Sequence, residues 1–151
     1  MVILFVCTGN TCRSSMAGAL ARRELERAGI DGFEVKSAGT GALPGLPASA
    51  GAIAAMEEME IDIKDHRSTA LDKNIIKEAD IIFTMTESQR RVVLDICAGV
   101  AGRVYTLPEF AGVPGDVRDP FGGDAEVYRR TADCLESLVV LAVRRVMREK
   151  D

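Results

Sequence analysis

The segment from Cys7 to Ser14 reads CTGNTCRS and combines residue types that bind an oxyanion with one that can attack it. Gly9 and Asn10 accept a positive φ, which a ring of inward-pointing backbone N–H groups requires. Arg13 offers a planar guanidinium that fits two phosphate oxygens. The N–H groups, Arg13 and Ser14 would stabilise a thiolate at Cys7. The segment therefore predicts a phosphate cradle in which Cys7 is the nucleophile and forms a phosphocysteine. The predicted substrate-binding residues of this segment are Thr8, Gly9, Asn10, Thr11, Cys12 and Ser14.

A second group of chemical interest lies late in the chain, in the sequence DPFGGD. Pro120 favours an extended backbone at Asp119, which would let this carboxyl reach over the cradle. Asp119 is predicted to protonate the leaving group and then to activate water, and Phe121 to wall the mouth of the pocket. A Cys-x5-Arg pair or an Asp-Pro pair alone has little meaning. Their occurrence in this order, between a strand, a Gly-Asn turn and a helix, predicts phosphoryl transfer.

The elements that must position these residues alternate between short apolar runs and longer helical patterns. The run VILFV at residues 2–6 predicts a strand buried on both faces, with Cys7 at its end. Further strands are predicted at residues 33–37, 80–85 and 103–107. Helices are predicted at residues 15–28, 48–60, 72–77 and 86–98, and from Asp124 as N-cap to about residue 149. The alternation predicts an α/β fold with a doubly wound, four-stranded parallel sheet, whose ligands bind at the carboxyl ends of the strands. Residues 108–123 are predicted to be a long functional loop.

The composition narrows the class of protein. A length of 151 residues indicates one domain, residues 1–151, and the net charge of −4 disfavours a nucleic-acid partner. The longest apolar run, residues 138–143, is too short to span a membrane, and residues 2–7 are too short for a signal peptide. Without a secretory signal, the four cysteines predict no disulfide framework. The lack of a Cys-x-x-Cys pair, with one histidine, predicts no metal site. We therefore expect a cytoplasmic monomer without a cofactor.

The motifs VCTGNTCRSSMA, SAGT, DHRS and DPFGG, in this order over nearly the whole chain, resemble the low-molecular-weight protein tyrosine phosphatase family. The resemblance implies a flavodoxin-like fold and a metal-free phosphatase that acts on phosphorylated proteins. It also implies that Cys7 is the nucleophile, Arg13 the phosphate clamp and Asp119 the general acid. Four side chains are implied to hold the loop by hydrogen bonds: Asn10, Ser14, Ser37 and His66.

Thr11 bears on the choice of substrate. Phosphotyrosine members of the family tend to carry a larger aliphatic residue there, so this threonine resembles the bacterial protein-arginine phosphatase branch. A shorter side chain opens the pocket, and its hydroxyl can meet a guanidinium or the attacking water. Because one or two methylenes change selectivity by only about 1–3 kcal/mol, phosphotyrosine stays as the alternative substrate.

The other cysteines leave two further questions. Cys12 resembles the family's resolving cysteine, which forms a reversible disulfide with an oxidised nucleophile, so redox regulation is expected. Cys97 and Cys134 lie in helical patterns and are predicted to be buried. An arsenate reductase would need a further cysteine pair near mid-chain, which this sequence lacks. A phosphate-binding adaptor would need neither Cys7 nor Asp119.

Overall fold

A computed structural model describes residues 1–150, and in that range four strands form one parallel sheet in the order β2-β1-β3-β4. The strands are β1 (Val2–Cys7), β2 (Glu34–Gly39), β3 (Ile81–Thr84) and β4 (Val104–Thr106). The central strand β1 pairs with β2 on one side and β3 on the other, so Val6 lies between Ala38 and Thr84. The sequence prediction of a doubly wound, four-stranded parallel sheet is confirmed.

Six α-helices of the described range connect and flank these strands. They are α1 (Arg13–Arg27), α2 (Ala50–Glu58), α3 (Lys73–Glu78), α4 (Glu87–Ile96), α5 (Leu107–Phe110) and α6 (Ala125–Lys150). A 3₁₀ helix also follows α4 at Ala98–Arg103. The short helix α5 corrects the prediction of an irregular loop from residue 108. Thr106 caps it by accepting from Glu109 N, and Pro108 lies in its first turn, where no N–H is missed. The remaining loop, residues 111–124, is called the late loop below.

The sheet has a separate apolar core on each face. Side chains alternate along β1, so Ile3 and Phe5 pack on the face covered by α1, α2 and α6. Leu4 and Val6 point the other way, into a cluster that includes residues of α3 and α4. All four side chains are fully buried, as the continuous apolar run predicts. This packing fixes the carboxyl end of β1, where Cys7 lies.

The two helical cysteines differ in burial. Cys97, which ends α4, is buried as predicted, but Cys134 is exposed, so the prediction of a buried Cys134 is wrong. The buried stripe of α6 includes Leu135 and Leu138. Cys134 comes one residue earlier than Leu135, which turns it about 100° around the helix and out of that stripe. No helix in residues 1–150 combines the length and the apolar character that a membrane crossing demands.

Candidate active site

The site is built around the turn that joins β1 to α1. Residues 8–12, called the site loop below, curl between Cys7 at the end of β1 and Arg13 at the start of α1. They enclose a cavity of about 220 Å³ at the carboxyl edge of the sheet. Its lining comes from the site loop, its two flanking residues and the late loop: Cys7, Thr8, Gly9, Thr11, Cys12, Arg13, Asp119 and Phe121. The fold therefore brings together, around one cavity, residues that are 112 positions apart in the sequence.

The Cys7 thiol lies at the base of this cavity with polar groups on two sides. Its Sγ is 2.9 Å from the Ser14 hydroxyl and accepts a hydrogen bond of 3.2 Å from the Asn10 backbone N–H. Only 2% of Cys7 is exposed. Helix α1 begins beside it, and in the described residues no side chain caps its first N–H groups. These free N–H groups, at the positive end of the helix dipole, suit a bound anion or a thiolate.

Asn10 holds the shape of the site loop. It adopts a φ of +57°, a region that asparagine tolerates better than most residues. Its Nδ2 donates to Ser14 Oγ at 2.7 Å, and its Oδ1 accepts from Thr69 N at 2.8 Å. His66 Nε2 bonds the Asn10 carbonyl oxygen at 2.6 Å. A fully buried side chain with all these partners fixes the peptide groups on both sides of it.

Two sequence predictions about this network need correction. Gly9 was expected to share the positive φ, but Asn10 alone makes the left-handed turn. Ser37 was expected to bond within the network, yet among the described residues no hydrogen bond joins its hydroxyl to the site loop. Asn10 Oδ1 accepts instead from the backbone N–H of Thr69. Ser37 instead lines a neighbouring cavity together with His66.

His66 is held as a neutral donor. Burial lowers the pKa of its imidazole below the ordinary value, and the positive charges of Arg22 and Arg67 lower it further, against an opposing contribution from the Asn10 carbonyl. A neutral imidazole carries one N–H, and the bond to a carbonyl oxygen requires that this N–H be on Nε2. His66 therefore supports Asn10 without a charge near neutral pH.

The end of β2 lies directly against the site loop. A Cβ at Gly39 would be 2.4 Å from the Thr8 carbonyl oxygen and 3.0 Å from Asn10 N, so no larger residue fits without a shift. The backbone N–H groups that follow, of Thr40 and Gly41, donate to the carbonyls of Cys7 and Thr8. This close approach explains the glycine of the SAGT motif.

Arg13 links the cavity to the late loop. Its guanidinium donates to the Val117 carbonyl at 3.0 Å, and its Nη2 is 3.6 Å from Asp119 Oδ2. Arg13 is 5% exposed, whereas about half of the Asp119 side chain is exposed. Asp119 Oδ1 also accepts from Phe121 N at 3.0 Å, which turns the chain so that Phe121 stands at the mouth, 78% exposed. The carboxyl is thus held at the cavity, beside the Arg13 guanidinium, by its own turn.

Cys12 belongs to a small polar cluster behind the cavity. Its thiol donates to Ser49 Oγ at 3.2 Å and lies 3.5 Å from the Tyr128 hydroxyl. Ser49 Oγ in turn donates to Tyr128 at 3.4 Å. Burial, followed by the contact with Cys12, raises the pKa of the Tyr128 phenol, so this group keeps its proton. The cluster ties the site loop to α2 and α6.

Several residues of the site were not found from the sequence. Thr69 and Val117 act through backbone atoms, which carry no residue-type signal. Ser49 and Tyr128 reach Cys12 only through tertiary packing. Gln89 has a partial signal, because Thr86-x-x-Gln89 is a capping box, but its contact with Thr8 has none. No group of three or more His, Cys, Asp or Glu side chains in residues 1–150 is arranged to hold a metal ion.

The thiol is buried in an N–H-rich loop at the positive end of a helix, and a guanidinium and a carboxyl face the same cavity. Such a site suits a cysteine-dependent phosphatase. The comparison with known proteins agrees. The family model described as low molecular weight phosphotyrosine protein phosphatase matches residues 2–151, and the chain belongs to this family.

Relatives within the family are similar over nearly their whole length. The chain is 44% identical over 138 residues to a protein-arginine-phosphatase of Geobacillus stearothermophilus, covering 91% of this chain and 90% of that protein. It is 37% identical over 151 residues to a protein-arginine-phosphatase of Bacillus subtilis (strain 168), covering 99% of each. Among solved structures, a C7S mutant of the YwlE arginine phosphatase with a phosphorylated active site serine superposes with a TM-score of 0.94. That structure is 37% identical and covers 99% of this chain and 97% of that one.

Proposed function

We propose that this chain is a protein-arginine phosphatase that removes the phosphoryl group from phosphoarginine side chains through a phosphocysteine at Cys7. The observation that carries the proposal is Thr11, a short side chain with a hydroxyl in the wall of the cavity that also holds the thiol. The relatives that are named protein-arginine-phosphatase support it, as does the phosphorylated serine of the C7S mutant, which marks position 7 of that protein as the phosphoryl acceptor.

In the first step, the Cys7 thiolate attacks phosphorus and the P–N bond to the guanidine breaks. The N–H groups of the site loop and the Arg13 guanidinium stabilise the charge on the phosphoryl oxygens. Ser14, 2.9 Å from Sγ, donates to the thiolate. Asp119 in its protonated form gives a proton to the leaving nitrogen, which departs as a neutral or protonated guanidine.

In the second step, water replaces the guanidine. Asp119, now a carboxylate, takes a proton from this water as its oxygen attacks phosphorus. The S–P bond breaks, inorganic phosphate leaves and the Cys7 thiolate is regenerated. The same carboxyl therefore donates a proton in the first step and accepts one in the second. Its exposed position at the cavity mouth allows both transfers.

The substrate is tested at Thr11. We expect the wild type to have a higher kcat/KM on a phosphoarginine protein than on a phosphotyrosine peptide. Thr11→Ile should lower the ratio of the two constants by about 10-fold or more, because the ethyl group that replaces the hydroxyl fills the space for a guanidinium and offers an apolar wall to a phenyl ring. Thr11→Val is the matched control, since it removes the hydroxyl at nearly constant volume.

The outcomes separate the two substrate classes. If Thr11→Val has the effect of Thr11→Ile, the hydroxyl rather than the volume selects the guanidinium. A wild type that prefers phosphotyrosine, with a ratio that neither substitution changes, would contradict the proposal. The alternative, a phosphotyrosine phosphatase, has only weak support, from the description of the family.

We further propose that the enzyme is redox-sensitive and cytoplasmic. A peroxide would oxidise the Cys7 thiolate to a sulfenic acid and be reduced itself. Attack of the Cys12 thiol on this sulfenic acid would release water and give a Cys7–Cys12 disulfide that a cellular thiol reduces. A reducing compartment would keep such an enzyme active. That the protein is a monomer stays a prediction, which sedimentation of the purified protein would test.

A further inference from the structure

Gln89, in the first turn of α4, reaches the site loop from outside it. Its side-chain amide is buried, with 4% of the residue exposed. Its Oε1 accepts from Met85 N at 2.9 Å and from Thr86 N at 3.1 Å, and its Nε2 donates to Thr8 Oγ1 at 3.1 Å. One amide group therefore joins the end of β3 to the wall of the cavity.

The direction of these hydrogen bonds is determined by chemistry. Two backbone N–H groups point at one atom of the amide, and only the oxygen can accept from both. The NH₂ group must then face Thr8, where it can only donate. The Thr8 oxygen is thereby an acceptor from Gln89, and its hydroxyl proton is free for another partner. Thr8 lines the cavity beside Cys7, so an oxyanion bound in this cavity is a candidate for such a partner.

The same segment also supports the late loop. Met85, whose N–H donates to Gln89, also accepts through its carbonyl from Val117 N at 2.9 Å. Asp116 Oδ1 accepts from Glu87 N at 3.0 Å, so the first turn of α4 holds the base of the late loop as well. Gln89 thus lies between the contacts that hold the site loop and those that hold the late loop.

We propose that Gln89 is a positioning residue for phosphate binding, which holds Thr8 so that its hydroxyl donates to a phosphoryl oxygen. The proposal rests on the proposed function only in so far as the cavity binds phosphate. It does not depend on whether the substrate is phosphoarginine or phosphotyrosine, and phosphate affinity is a readout that needs no substrate.

The decisive variant is Gln89→Glu in the full chain. One carboxylate oxygen keeps both hydrogen bonds to Met85 and Thr86, while the other can only accept. The Thr8 hydroxyl then turns to donate to it, away from the cavity. We expect the Kd of inorganic phosphate, measured by calorimetry, to rise about 10-fold, and KM to rise with it while kcat changes less.

Two comparisons keep the result interpretable. In a Thr8→Val background most of the effect of Gln89→Glu should disappear, because the hydroxyl through which it acts is gone. Thr86→Ala removes the hydroxyl that accepts from Gln89 N at 3.1 Å and should lower Tm without changing phosphate affinity by more than about two-fold.

The proposal is overturned if Gln89→Glu leaves phosphate affinity unchanged, if its effect is as large in the Thr8→Val background, or if Thr86→Ala weakens phosphate binding equally. A protein that binds phosphate as expected but hydrolyses no phosphoarginine would refute the proposed substrate and leave the role of Gln89 intact.

Discussion

At the scale of the residue, Arg13 and Asp119 form a contact whose partners have different proposed roles, phosphate binding and proton transfer. Their closest atoms are 3.6 Å apart, and the carboxyl is half exposed, so the pair contributes little to stability. Its effect is to keep the carboxyl on the same side of the cavity as the guanidinium. The backbone bond from Phe121 N to Asp119 Oδ1 adds to this orientation without using the second carboxyl oxygen.

Asp119→Asn tests the proton transfer. We expect turnover of a phosphate monoester with a poor leaving group to fall about 10²–10⁴-fold, because asparagine cannot donate the proton. The loss should be smaller with a good leaving group such as nitrophenolate, and smaller on phosphoarginine if the guanidinium departs without help. The measurement is steady-state kcat on the three substrates.

Asp124→Asn is the matched control. Asp124 lies five residues later in the late loop and caps α6 by accepting from Val127 N at 3.0 Å. Asparagine caps helices about as well as aspartate, so neither stability nor turnover should change much. An unchanged rate in Asp119→Asn on the poor leaving group would remove Asp119 from the mechanism.

At the scale of the elements, the end of β2 has an unusual part in shaping the site. Gly39 ends that strand, and its backbone accepts from Leu71 N while its own N–H donates to the Thr69 carbonyl. Its missing side chain leaves room for the Thr8 carbonyl. The site loop thus packs closely against the end of β2 where it leads into α1.

Gly39→Ala tests this contact. The new Cβ would meet the Thr8 carbonyl oxygen at 2.4 Å, so the site loop or the strand must shift. We expect a loss of about 1–3 kcal/mol in the free energy of unfolding, together with a higher KM, because the N–H groups no longer converge. Denaturant titration and steady-state kinetics measure the two effects.

Gly41→Ala supplies the comparison, since a Cβ there approaches nothing closer than 3.8 Å. It should leave both stability and KM nearly unchanged. If Gly39→Ala leaves stability and KM as little changed as Gly41→Ala does, the strand end tolerates a side chain and the close approach of Gly39 has no functional role.

The sequence predicted the elements well where local patterns decide them. The run at residues 2–6 and the cap at Asp124 were both correct, because burial on two faces and capping leave marks in residue types. It did not predict α5, since a four-residue helix is too short for a periodic pattern. The family resemblance implied Ser37 in the network around Asn10. The bond from Thr69 N was not predicted, because a backbone N–H leaves no trace in the sequence.

At the scale of the whole molecule, one titrating side chain connects the site to global stability. His66 is the one histidine of the sequence, and its pKa is lowered in the fold, mainly by burial. The unfolded chain, with an ordinary histidine pKa near 6.5, therefore binds this proton more readily than the folded chain. Protonation of His66 in the unfolded chain favours unfolding as the pH falls below about 6.5. The contribution of the neutral imidazole to the free energy of unfolding is fully present above that value.

The corresponding prediction concerns the pH dependence of unfolding. Between about pH 7.5 and pH 5.5, above the ordinary range of the carboxyl groups, the free energy of unfolding should decrease as the pH falls. His66→Gln, which keeps a side-chain N–H donor but does not titrate, should flatten this dependence. Urea unfolding of both proteins across this range gives the comparison. An equally steep dependence in His66→Gln would assign the effect to other groups.

The hydrogen bonds that hold Asn10 come from residues 56 and 59 positions further along the chain. During synthesis, β1 and α1 leave the ribosome well before His66 and Thr69 do, so the left-handed turn lacks these two hydrogen bonds at that stage. The thiol of Cys7 is then an ordinary cysteine on a flexible chain. Its special surroundings arise only when the crossover after α2 docks against the site loop, which makes recovery of phosphate binding a marker of late, long-range assembly in refolding.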